Sequence, residues 1–67
     1  MSAAIKSIVN GYVSLRDRSA IEEIRDHRQR LLKQLRDQPK GGGIDPSSTI
    51  QLFEEDLREI EAGLLRL

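Results

Sequence analysis

Three consecutive glycines, Gly41, Gly42 and Gly43, stand between Pro39 and Pro46, and no regular helix can run through that stretch. The chain must therefore turn at Pro39-Lys40-Gly41-Gly42-Gly43-Ile44, a length that suits a helix–helix connection. A phosphate-binding loop needs its glycines to end in Gly-Lys-Ser/Thr after a strand, and neither the spacing nor the strand is present. The glycines read as a hinge between two arms.

The arm after the hinge opens on Asp45-Pro46, an N-cap side chain followed by proline at the first helical position, where its missing N–H costs nothing. Apolar residues then fall at Ile50, Phe53, Leu57, Ile60, Leu64 and Leu67, at alternating gaps of three and four. This is the a/d seam of coiled-coil type. Glu54, Glu55, Asp56, Glu59 and Glu61 fill the places between. The pattern predicts a helix over about 46–66, weakened slightly near its end by Gly63.

Before the hinge, Ser19-Ala20-Ile21-Glu22 reads as a capping box, and an amphipathic helix follows to about Gln38. Its stripe is Ala20, Ile24, His27/Arg28, Leu31 and Leu35, flanked by Ile21 and Leu32. Folded antiparallel across the glycines, Leu35 faces Phe53, Leu31 faces Leu57 and Ile24 faces Leu64, one constant register. Further upstream, Ile5, Ile8, Val9, Tyr12 and Val13 also have helical spacing. Val9, Val13, Ala20, Ile24, Leu31 and Leu35 follow an 11-residue repeat, close to that of a straight helix. That repeat favours one continuous helix over about 3–38, roughly 54 Å long, against roughly 32 Å for the second. The first arm then overhangs the second and leaves its apolar start without intrachain cover. In the alternative, a break near 10–19, at Asn10-Gly11 or at the Ser19 cap, lets a short helix fold back as a third member. The expected class is all-α, a single domain over 1–67: an antiparallel helical hairpin with its Gly-rich turn at 39–45.

Composition bears on what completes such a hairpin. Two helices cannot bury all of this apolar surface between themselves, and small scaffolds close the gap with disulfides, metal or partner subunits. The chain has no cysteine and one histidine, so disulfides and thiolate metal sites are excluded and a zinc site cannot be assembled by the chain alone. Association of two hairpins into a four-helix bundle is the expectation. Charge agrees: residues 1–40 carry nine Lys/Arg against five Asp/Glu, and residues 41–67 two against six. Arms of opposite sign suit mutual packing better than a free phosphate-binding surface. No signal-peptide pattern or membrane-length apolar run is present, so the expected location is cytoplasmic.

Few side chains invite chemistry. His27, the one group with an unperturbed pKa near neutrality, falls near the centre of the stripe and is expected at the edge of the core beside a carboxylate. The acidic residues of the second arm lie off the seam, and no Glu-x-x-His pair accompanies them, so a di-metal bundle is not indicated. No nucleophile stands with a base. The expectation is therefore no catalytic residue, cofactor or metal.

What remains is binding. Ile24, Leu31, Leu35, Ile50, Phe53, Leu57, Ile60 and Leu64 are expected to form the oligomer interface, most simply of a homodimer. Ile5, Ile8, Val9, Tyr12 and Val13 form a candidate docking surface for a protein partner. Arg25, Arg28 and Arg36 lie within about a third of a turn of one another, so phosphate contacts to nucleic acid are the alternative. A hairpin that dimerises into four helices resembles, in architecture, the small RNA-binding plasmid regulators of the ROP type; no sequence motif carries their function over. The reading is an interaction protein, an adaptor or regulator that self-associates, with a nucleic-acid-binding regulator as the alternative.

Overall fold

The computed structural model describes residues 2–38 and 46–67. Among these the chain is all-helical: α1 Ser2–Ser14, α2 Arg18–Arg36 and α3 Ser47–Leu65. The glycine hinge and Asp45 lie outside the described residues.

The continuous helix expected over 3–38 is replaced by two helices, with the break at Leu15–Asp17, so the three-helix alternative with a break near 10–19 is the one that fits. The Asp17 N–H donates to the Tyr12 carbonyl at 2.9 Å and the Arg16 N–H to that of Val13 at 3.0 Å. These are the two bonds of a Schellman ending, which places its C′ residue in the left-handed region. Arg16 is that residue, at φ 55°. Asp17 then serves α2 as N-cap, its Oδ1 accepting from the Ala20 N–H at 3.1 Å. The expected caps are thereby corrected. Ser19 lies inside the first turn of α2, and Asn10 and Gly11 are helical.

α2 ends with Lys33 and Arg36 in its last turn, where cations suit the dipole. The Asp37 N–H closes it by donating to the Lys33 carbonyl at 2.9 Å. α3 starts one residue later than its sequence pattern suggests. Pro46 holds the N-cap position, and its carbonyl accepts the first helical bond, from Ile50, at 2.9 Å.

α3 is the central element. It packs against both other helices, which touch each other little. Polar pairs fix the directions. Lys6 meets Glu59 and Asn10 meets Arg66, so α1 runs parallel to α3. Arg28 meets Asp56 and Arg36 meets Glu54, so α2 runs antiparallel to it.

The core lies where all three helices overlap. Ile5, Val9, Ile21, Ile60 and Leu64 are buried there, with Tyr12, Val13, Ile24 and Leu67 packed around them. Burial of the three most enclosed, Ile21, Ile60 and Val9, stabilises the fold by about 1.5–3 kcal/mol each. The overhang expected of α1 is therefore corrected. The Schellman break turns the helix back, and its apolar side is covered by α3 of the same chain. Gly63 allows the close approach, because a Cβ at that position would overlap Val9 Cγ1 and lie 3.5 Å from Val13 Cγ2.

Candidate interaction face

α1 has 13 residues and spans about 20 Å, whereas α2 and α3 have 19 each and span about 28 Å. Among the described residues, one end of the α2–α3 layer therefore has a third helix and the other has none. At the closed end, Ile60 and Ile21 are fully buried. At the open end Leu31, Leu35, Ile50, Phe53 and Leu57 are only half-buried, and Leu52 is 41% exposed. Leu32 is buried at that end.

This distribution revises the expected stripe of α2. Ile21 and Leu32, the flanks of the stripe in sequence, are the buried positions, while Ile24, Leu31 and Leu35 are half-covered. The helix is thus turned so that its flank, not its centre, faces α3. A seam read as facing one partner is shared between α3 and the outside.

Of the eight residues expected at an oligomer interface, Ile60 and Leu64 lie in the intrachain core. Ile24, Leu31, Leu35, Ile50, Phe53 and Leu57 keep part of their surface. Of the five expected to dock a partner, Ile5 and Val9 are buried, Tyr12 and Val13 pack against the core, and Ile8 is 47% exposed. The surface α1 offers a partner is accordingly narrower than its sequence suggests.

Between the two ends sits a polar pair. Arg28 Nε lies 3.6 Å from Asp56 Oδ2, with side-chain exposures of 23% and 14%. The Nε is buried and has no hydrogen-bond partner, so the carboxylate satisfies it by charge alone. Arg28 Nη1 donates to His27 Nδ1 at 2.8 Å. A guanidinium only donates, so that imidazole nitrogen accepts and carries no proton in this arrangement. His27 is exposed rather than central to the stripe, and its bonded neighbour is an arginine rather than the expected carboxylate.

The other candidate phosphate contacts are also engaged. Arg25 Nε pairs with Asp26 at 3.2 Å and Arg36 Nη2 with Glu54 at 2.9 Å. Exposed pairs of this kind contribute roughly 0–1 kcal/mol and exchange readily. Among the described residues no group of three His, Cys, Asp or Glu side chains converges as a metal site would require. No helix among them is long and apolar enough to cross a membrane.

Three residues that shape this surface escaped sequence reasoning. Arg16 and Asp17 end one helix and start the next, and Gly63 seats α1. Asp17 carried a usable signal, an N-cap side chain three residues ahead of Ala20, but Ser19 competed with it. Arg16 carried none.

Comparison with known proteins adds no relative: no family model, curated protein or solved structure matches the chain.

Proposed function

We propose that this chain is a small interaction protein, an adaptor or regulator, that self-associates through the open end of its α2–α3 layer. The observation that carries the reading is the unequal cover of that layer. α1 closes the end around Ile60, while Leu31, Leu35, Ile50, Phe53 and Leu57 keep surface that no described helix covers. A second copy, set open end to open end about a twofold axis, covers that face with its own and yields four helices at the contact. The arms' opposite charge supports a second copy as the occupant, since the α2 of one chain then has the acidic α3 of the other to lie against.

Sedimentation equilibrium over a micromolar range tests it. The wild type is expected to sediment as an oligomer, and Leu35→Glu with Phe53→Glu to lose the association made through the open face while keeping its helical circular dichroism. A wild type that is a folded monomer at every concentration would overturn the reading. The nucleic-acid alternative has less support, because Arg25, Arg28 and Arg36 already hold carboxylates. It requires salt-dependent binding to duplex RNA or DNA that charge reversal at Arg25 and Arg36 removes.

A further inference from the structure

The break between α1 and α2 is weakly encoded. Leu15, Arg16 and Asp17 include neither glycine nor proline, and each is compatible with a helix interior. The turn holds only because Arg16 accepts φ 55°, a left-handed conformation that costs a side-chain-bearing residue about 1 kcal/mol. The apolar repeat meanwhile runs through the break without a phase change, from Val9 and Val13 to Ala20 and Ile24. α1 gives up the smaller part of its packing when it swings away from α2, because most of that packing is with α3: Val9 on Gly63, Lys6 near Glu59, Asn10 with Arg66.

From these observations we infer that α1 exchanges between two copies of the chain. In the exchanged form residues 15–17 join α1 and α2 into one straight helix, and α1 seats its Val9 against Gly63 of a second chain. The second chain returns its α1 to the first. Every α1–α3 contact is remade, the left-handed strain at both Arg16 residues is released, and the cost is the entropy of association with the loss of two Asp17 caps. Short strained hinges are the known setting for such exchange. It joins closed ends, whereas the self-association proposed above joins open ends, so either can fail without the other. If both operate, assemblies larger than a dimer form.

The absence of cysteine makes a clean test. Lys6→Cys and Glu59→Cys change exposed or half-buried positions on facing helices, so neither threatens the core. The two single variants are mixed, unfolded, refolded together at high concentration and treated with a short dimaleimide. Exchange predicts cross-links that join a Lys6→Cys chain to a Glu59→Cys chain. It also predicts opposite responses at the hinge. Arg16→Gly relieves the turn and disfavours the straight helix, weakening the exchanged dimer by about tenfold or more because each dimer has two hinges. Asp17→Ala removes the cap of the bent form and strengthens the dimer by about tenfold. The Leu35→Glu and Phe53→Glu changes leave this cross-link in place. If a chain carrying both cysteines cross-links only within itself at every concentration, and the mixed single variants never link, exchange is wrong. Cross-links between chains that ignore Arg16→Gly and Asp17→Ala would also overturn it.

Discussion

The two ends of the α2–α3 layer are built from similar apolar residues yet reach different degrees of closure. Around Ile60, a third helix seats a valine in a glycine notch, and Val9, Ile21 and Ile60 are fully buried. Around Phe53, no third helix among the described residues joins the same two, and Leu31, Leu35, Ile50, Phe53 and Leu57 stay half-covered. A two-helix layer of this size is closed by whatever lies on it. At one end the chain supplies that element itself, and the proposal is that at the other a second copy does.

Truncation should expose the contrast most sharply. Ile60→Ala removes a fully buried side chain and should cost about 3–4 kcal/mol, much of the stability available to so short a chain. Leu57→Ala, one turn away and half-buried, should cost only about 1 kcal/mol in a monomer and more where the open face is paired. Urea melts at low and high protein concentration would measure both. Equal, concentration-independent costs would erase the distinction between the ends.

The polar pair marks the boundary between them. Asp56→Ala leaves a partly buried guanidinium without its counter-charge and should cost about 2 kcal/mol. Replacing both partners, Arg28→Met with Asp56→Leu, should recover most of that loss, since apolar packing substitutes for a poorly hydrogen-bonded pair. A double variant as unstable as the single one would show that the pair does more than fill its place.

At Gly63 the closed end can be loosened alone. Gly63→Ala gains helix propensity but drives a methyl into Val9, for a net loss of about 1 kcal/mol. Hydrogen exchange should then rise through α1 while α2 and α3 stay protected. Smaller still is Asp17→Ala, about 1 kcal/mol at most at the exposed cap of α2, read as a lower melting temperature. Arg16→Gly should shift it upward by a similar amount.

Much of this architecture was legible in the sequence. The alternating gaps from Ile50 to Leu67 gave α3 to within a residue at each end, since an a/d seam depends only on local spacing. The helix break was legible only as the alternative reading, a break somewhere near 10–19, and its residues were not. Left-handed turns announce themselves through glycine or asparagine, and Arg16 is neither. Without that turn α1 has no intrachain partner, so Ile5 and Val9 read as free surface when they are core. The turned face of α2 followed from the same gap, because its stripe was placed against one neighbour, as the favoured continuous helix required. Gly63 looked like a flaw in α3 because its use depends on Val9, which is distant in sequence. The surviving surface of Leu31, Leu35 and Phe53 was nevertheless on the stripe that the spacing picked out.

Completion of the open face by a second copy can be read from amide hydrogen exchange measured across a dilution series. Protection around Leu31–Leu35 and Ile50–Leu57 should fall as the protein is diluted, while amides around Ile21 and Ile60 hold theirs until the whole chain unfolds. Protection that is the same at both ends, and indifferent to concentration, would contradict it.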